Sequence, residues 1–453
     1  MVRPVVARAA DAETYYSSIA RQPFPFLLDY VNPSRPDRPW TVIGSNPFRV
    51  LIAKEDRVVE WRAGRRREQR GDPFEVLKDA LAEHAVEEQD LPFAGGAVGY
   101  LGYDLGGHIE RLPRAAKDDR AFPDMVLAFH DRAMVFDRAT NQARQVEVGT
   151  AAPAISQEDW EEQFAAAPPL SPWTAGRAVE SNFTRERYLE AVARAREYIV
   201  AGDIYQVNLS QRFHTRSSLE PLEIYRRLRR ASPAPYSALL SLGSRCVISS
   251  SPELFLHTDG RRVVTRPIKG TRPRGATPEE DERLRAELMA SPKDDAELAM
   301  IVDLERNDLG RVCEYGSVKV SEPKSLETHP TVHHLVATVE GRLRGDAGPV
   351  DVLRAAFPGG SITGAPKIRA MEIIDELEPT RRAAYTGAIG WIGFDGRLAL
   401  SVAIRIVEKR GDDLWFQAGG GIVADSDPAR EYDETLVKAT GIARALGIDL
   451  PDA

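Results

Sequence analysis

GAIGWIGF (387–394), LALSVAIRIVE (398–408) and LWFQAGGGIV (414–423) are three strand-like segments with only a few residues between one and the next. Consecutive parallel strands need a crossover of a dozen or more residues, whereas antiparallel strands can be joined by a short turn. The spacing therefore predicts antiparallel pairing. Helix-like segments DDAELAMIVDLERNDLG (294–310) and KIRAMEIIDELE (367–378) precede this strand cluster. Grouped strands and separate helices place the chain in the α+β class rather than in a parallel α/β wind.

Working outward, TRERYLEAVARAREYIVAG (184–202) spaces Leu189, Val192, Ala195 and Ile199 as one helix face, with Thr184 as N-cap and Gly202 as the stop. DIYQVNLSQRF (203–213) alternates instead. Tyr205, Val207, Leu209 and Phe213 face one way and Gln206, Asn208, Ser210 and Arg212 the other, so one face of a strand is polar, as the wall of a site would be. CVISSSPELFLHTDGRRVVTRPIKG (246–270) reads as strands around an Asp259-Gly260 turn. The Ala- and Pro-rich stretch 146–181 reads as a connector between an N-terminal region, 1–145, and a larger C-terminal region, 182–453. PFAGGAVGYLGYDL (92–105) lacks the GxGxxG spacing and following helix of a dinucleotide loop.

With 453 residues the chain can bury a large core, and 60 basic against 68 acidic residues give a net charge of −8. That balance argues against a general nucleic-acid or anionic-membrane binder. Cys246 and Cys313 have no metal-ligand spacing and read as buried reduced thiols. No apolar run approaches the roughly 18 residues of a membrane span, and no signal peptide is visible, so a soluble cytoplasmic protein is expected.

The chemistry-bearing candidates fall in several segments. Glu431, Glu434 and Lys438 share one helix face by their spacing, either as a solvated face with an internal ion pair or as two carboxylates and an amine around one ligand. Glu297 lies among apolar residues, where an acid needs a partner or a metal. Magnesium suits such a set, because it takes one or two protein carboxylates and leaves other positions to water and substrate oxygens. Gly419, Gly420 and Gly421, and the loop GGSITGAPK (359–367) with Ser361 and Thr363, offer backbone N–H groups to an anion. Arg405 can neutralise a carboxylate, and His334 can serve as an acid or hydrogen-bond donor. Lys269, in TRPIKGTRPRG (265–275), is either a solvated charge or a nucleophile whose proton is loosened by burial or by Arg266, Arg272 and Arg274 beside it.

Together GGAVGYLGYDL, DIYQVNLSQRF, SSPELF, PIKGTRPRG, AELAMIVDLERNDLGRV, HHLVATVEG, FPGGSITGAPKIRAMEII, YTGAIGW, QAGGGIVADSDP and EYDETLVKA resemble, in order and over nearly the whole chain, the chorismate-utilising enzymes. The resemblance implies two large antiparallel sheets packed together with helices outside, and a chorismate site with Mg2+ on the ring carboxylate. It implies Glu297 and Glu434 as metal ligands and Glu431 near the metal's water shell. Glu253 is similar to the acid/base carboxylate at the reacting ring and His334 to the histidine near the departing hydroxyl. Tyr385, Arg405, Gly420, Gly421 and Lys438 look like substrate-carboxylate contacts.

Two positions divide the family by reaction. Isochorismate- and salicylate-forming members have a water-activating lysine where this chain has Gln206. Anthranilate-forming members read PIAGT, whereas members that make 4-amino-4-deoxychorismate read PIKGT, with the lysine attacking C2 before ammonia adds at C4. Lys269 matches the second pattern, which implies amination of chorismate toward p-aminobenzoate and folate. The motif ELAM stands where EHLM or ENLM is commoner. No glutaminase motif is present, so ammonia comes from solution or from a glutamine amidotransferase subunit, component II. PFPFLLDYVNPS (23–34) lies where relatives bind tryptophan, but LLDY departs from the LLES of inhibited enzymes. The alternatives are an anthranilate synthase component I and a catalytically silent regulatory subunit that binds chorismate or tryptophan.

Overall fold

The structure, a computed structural model, describes residues 2–5, 12–32, 35–87, 92–148 and 179–451. Most of the expected connector, and residues 33 and 34 of the PFPFLLDYVNPS stretch, lie outside the described residues.

The closely spaced strands do pair antiparallel. Ala388–Gly393 pairs with Leu398–Val402, and Ile406–Arg410 with Asp413–Ile422. They do so in two different sheets, each of 12 strands among the described residues. The segment LALSVAIRIVE, expected as one strand, is broken: residues 398–402 belong to one sheet and 406–410 to the other. Arg405 makes the corner with a left-handed φ of 51°. A second crossing lies beside it, where Arg245–Ser251 ends in the first sheet and Leu254–Asp259 begins in the second. The two corners are tied together, because Val402 N–H donates to the Glu253 carbonyl at 3.0 Å and Ser250 N–H to the Arg405 carbonyl at 3.1 Å. Strands that change sheet at bends are how packed sheets make corners. Here they tie the corner that carries Glu253 to the corner that carries Arg405.

Strands from both sides of the expected connector share both sheets. In the first, Phe26–Asn32 pairs with Tyr236–Leu242; in the second, Gly96–Leu101 pairs with Ala388–Gly393. Between the sheets lies an apolar layer that includes Phe26, Leu28, Val98, Tyr100, Leu240, Ile389 and Trp391. A second layer lies under the helices. Arg185–Val200, Pro221–Ala231 and Pro428–Leu446 cover the first sheet, burying residues such as Val192, Leu228 and Ala439. Pro292–Gly310 and Pro278–Met289 cover the end of the second. None of the helices among the described residues is long and apolar enough to cross a membrane.

The helix read from 184–202 spans Arg185–Val200, with the Thr184 hydroxyl accepting from Arg187 N–H. Its buried face is Tyr188, Ala191, Val192 and Ala195, and Leu189 and Ile199 lie at its margin. The alternating strand is Gln206–Arg216, but its polar face is not an open wall. Gln206, Asn208, Ser210 and Arg212 are all buried, Ser210 bonding to Glu378 and Arg212 to Asp119. Tyr205, expected on one strand face with Val207, Leu209 and Phe213, precedes the strand and is exposed. Cys246 and Cys313 are buried and free.

Candidate active site

Lys269 lies on Ile268–Pro273, the edge strand of the second sheet, opposite Leu335 of Val332–Arg342. The register slips between Lys269 and Thr271, and Gly270 takes a φ of 78° there. This bulge re-aims the side chain, as bulges beside functional sites do. The Lys269 Nζ donates to the Ser361 carbonyl at 3.1 Å. Burial lowers the ammonium's pKa below the usual lysine value, and Glu297 and Glu253 oppose that shift without reversing it. Arg266, Arg272 and Arg274 are not the cause expected from sequence. Each is paired, with Glu327 at 2.6 Å, Glu287 at 2.8 Å and Asp281 at 2.8 Å.

Glu253, at the sheet corner, is 4% exposed. Burial raises its carboxyl to about 7, against hydrogen bonding to Ser361, the charge of Lys269 and the Ile268 amide. His334 pairs across the bulge with Thr271, whose hydroxyl is 2.9 Å from Nδ1. Its buried Nε2 has no partner. Burial, with Arg405 adding to it, pulls its pKa down to about 3, so the ring is neutral near pH 7. Arg405 makes no ion pair among the described residues and bonds only to Ser232, at 3.3 Å. An unneutralised guanidinium at a corner between sheets is prepared for an anion.

The carboxylates come from two helices. Glu297 sits on Pro292–Gly310 and Glu431 and Glu434 on Pro428–Leu446. Gly420 lies against both of the latter: a Cβ there would be 3.1 Å from Glu431 Oε2 and 3.5 Å from Glu434 Oε1. Burial raises the Glu297 and Glu431 pKa values, and Glu434 adds to both shifts. Burial works on Glu434 too, but Lys438, 2.7 Å away, helps hold it below the ordinary carboxylate value. Ser426 donates to Glu431 at 2.6 Å. Among the described residues no three acidic, His or Cys side chains form a ready-made metal cluster. Two carboxylates packed on Gly420, with Glu434 raising the pKa of both Glu431 and Glu297, nevertheless fit one hard cation that takes few protein ligands.

Gly419, Gly420 and Gly421 close the strand Asp413–Ile422 rather than following it, because pairing with Gln206–Arg216 runs on to Ile422. Ile406–Arg410, on the other side, pairs only as far as Phe416, so the glycines have one open edge. Gln206 packs on Gly421, where a Cβ would be 2.1 Å from its Nε2, and Gln206 Oε1 has no partner. Lys438 Nζ donates to the Gly419 carbonyl at 2.9 Å. In loop 359–364 the Ser361 carbonyl serves Lys269, but the Thr363 hydroxyl turns back to the Gly359 carbonyl at 2.9 Å. The Gly360 N–H, expected to be open to an anion, donates to Glu305 at 3.0 Å. Tyr385 is buried, with Arg382 and Glu378 as its charged neighbours.

Sequence reasoning missed Lys293, whose charge acts on Glu297, Glu431 and Glu434, and it missed Ser426. Lys293 stands four residues before Glu297, a helical spacing that was available as a signal. A cavity of about 430 Å3 lies elsewhere, lined by Tyr15, Gln22, Asn46 and Asp131 among others. Beside Leu28, Asp29 and Tyr30, in the stretch that lies where relatives bind tryptophan, the cavity is about 20 Å3, with Tyr30, Tyr236 and Trp391 in its walls. That is room for about one water.

A model of the chorismate binding enzyme family matches residues 26–444. Aminodeoxychorismate synthase component 1 of Escherichia coli (strain K12) is 41% identical over 440 residues, covering 96% of each chain. Anthranilate synthase component 1 of Thermus thermophilus is 42% identical over 447 residues, also covering 96% of each. The crystal structure of anthranilate synthase component I from Streptococcus pneumoniae TIGR4 superposes with a TM-score of 0.77 at 31% identity, covering 89% of this chain and 92% of that one.

Proposed function

This chain belongs to the chorismate binding enzyme family, and we propose that it aminates chorismate at C4 to give 4-amino-4-deoxychorismate. Overall identity does not choose between this reaction and anthranilate formation, since relatives named for each are 41% and 42% identical. The observation that carries the choice is Lys269: a half-buried amine with a lowered pKa, held at 3.1 Å by the Ser361 carbonyl beside a raised carboxyl.

The neutral Lys269 amine attacks C2 of the ring, the double bonds shift, and the C4–O bond breaks. Glu253 gives its proton to the departing oxygen, which leaves as water, while His334 Nε2 orients it. Ammonia then bonds to C4, the C2–N bond breaks to return the lysine amine, and the Glu253 carboxylate takes the surplus proton from the new ammonium group. Chorismate and ammonia are thereby converted to 4-amino-4-deoxychorismate and water. Arg405 and the open edge at Gly420 and Gly421 receive substrate carboxylates. Glu297 and Glu434, with Glu431 behind them, would hold Mg2+, which when bound supplies positive charge against the ring carboxylate. Ammonia comes from solution or from a glutamine amidotransferase subunit, in keeping with the component 1 naming of the relatives. Feedback by tryptophan forms no part of the proposed function, given the small cavity beside Tyr30.

The test is product identification with purified protein, chorismate, Mg2+ and ammonium at mildly alkaline pH, by mass spectrometry and fluorescence. An aminated product that retains its pyruvyl group, and that an added lyase converts to p-aminobenzoate, is expected. Lys269→Ala is expected to lower its formation about a hundredfold or more. Anthranilate with released pyruvate from the unaltered protein, or full turnover by the variant, overturns the assignment.

A further inference from the structure

Glu305 sits on the helix that carries Glu297, eight residues further on, about 12 Å along the axis at 1.5 Å per residue. It is 2% exposed. Its Oε1 accepts the Gly360 N–H at 3.0 Å, and its Oε2 has no hydrogen-bond partner. One turn on, Asp308 holds Lys367 Nζ at 2.5 Å, and Lys367 also donates to the Ala356 carbonyl at 2.8 Å. Both ends of the loop that contains Ser361 are thus fastened to this one helix by buried polar contacts. The packing between them is close, since a Cβ on Gly360 would lie 2.6 Å from Leu304 Cδ2. Ser361 follows Gly360 directly, and its carbonyl receives the Lys269 ammonium.

We infer that Glu305 is a positioning residue for Lys269: by accepting the Gly360 N–H it fixes the Ser361 carbonyl that aims the lysine amine at the substrate ring. The inference rests on the proposed role of Lys269. An acid buried so fully among Asp308, Lys367 and Glu253 is an expensive way to satisfy one amide, and burial raises its pKa in that setting. A carboxylate at that place is explained if the orientation of the loop matters to the reaction. Reacting groups tolerate little misplacement, and a shift of about 1 Å can cost on the order of a hundredfold in rate.

The experiment uses the full chain with Glu305→Gln, which keeps an oxygen acceptor, and Glu305→Met, which removes it at similar size. kcat and KM are measured as chorismate consumption with Mg2+ and ammonium, and the acetylation rate of Lys269 by acetic anhydride at fixed pH is read by peptide mass spectrometry. Glu305→Met is expected to lower kcat about tenfold or more with KM changed less than about threefold. It is also expected to change the Lys269 labelling rate, while Glu305→Gln restores both readouts. Unaltered kcat and labelling in Glu305→Met, or a Gln variant as impaired as the Met variant, overturns the inference. Should Glu305→Met fail to fold, Glu305→Asp, which withdraws the acceptor by one methylene, decides on the same readouts: the loss is expected and unaltered values overturn it. Release of anthranilate by the unaltered protein would refute the proposed reaction while leaving this test intact, and a protein that consumes no chorismate would still be decided by the labelling rates.

Discussion

Glu253 condenses the chemistry of the site into one residue. Its carboxyl is raised from 4.5 to about 7 chiefly by burial, so near neutral pH it can both give and take a proton. The same burial has a thermodynamic sign. Between about 4.5 and about 7 the folded protein holds a proton that the unfolded chain has released, so this group's contribution is complete below 4.5 and lost as pH rises through 7. Glu253→Gln, which cannot ionise, is therefore expected to abolish turnover yet to be more stable than the unaltered protein at pH 8, by about 1–3 kcal/mol, with little difference at pH 5. Melting curves at the two pH values check this, and equal gains at both would show that Glu253 does not hold its proton. Glu253 and Lys269 were both legible in sequence through SSPELF and PIKGT. What loosens the lysine's proton was not: the neighbouring arginines are engaged elsewhere, and the burial arises from segments about 90 residues away, such as Ser361. Glu305 was hidden for the same reason, since nothing in the helical pattern of 294–310 says that one of its acids meets a loop N–H.

At the scale of elements, a strand irregularity matters as much as the side chain it carries. Gly270 adopts a φ of 78° at the slip between Ile268–Pro273 and Val332–Arg342, and a Cβ there would sit 3.0 Å from both Asp294 and Leu288. A side chain in the left-handed region costs about 1–2 kcal/mol, and this one also meets filled space. Gly270→Ala is expected to lower thermal stability by at least that amount and to depress kcat further than the lost stability explains, because the bulge sets the direction of Lys269. Calorimetry and steady-state kinetics on the variant measure both, and a variant with unaltered melting temperature and turnover would dismiss the bulge as a device. Element type was largely legible from sequence: helix 294–310, helix 367–378 and the alternating strand all appear. Breaks and ends were less so. LALSVAIRIVE has an unbroken strand pattern, and only the competition between two sheets for its halves reveals the corner at Arg405. The three glycines, read as offering their N–H groups to an anion, are held in the ladder by a long partner strand.

The whole molecule explains why a site built almost entirely from residues beyond 200 depends on the first third of the chain. Lys269 and His334 belong to one sheet; Gln206, Gly420 and Gly421 belong to the other. The relative placement of the sheets is set by the apolar layer between them, to which Phe26, Leu28, Val98, Tyr100 and Val126 contribute alongside Leu240, Ile389 and Trp391. Cutting the chain at the expected connector would unpair Tyr236–Leu242 from Phe26–Asn32 and Ala388–Gly393 from Gly96–Leu101. Two long apolar edges would be left, and unpaired edges of that kind invite association with other chains. Helix Pro221–Ala231 would also lose the bond from Tyr225 to Asp29 at 2.9 Å. Residues 182–453 expressed alone are therefore expected to aggregate or to melt without a cooperative transition, whereas the full chain unfolds in one transition seen alike by circular dichroism and tryptophan fluorescence. A fragment 182–453 that folds cooperatively and turns over chorismate would show instead that the second region holds the two sheets in register by itself, and that the shared strands serve something other than the site.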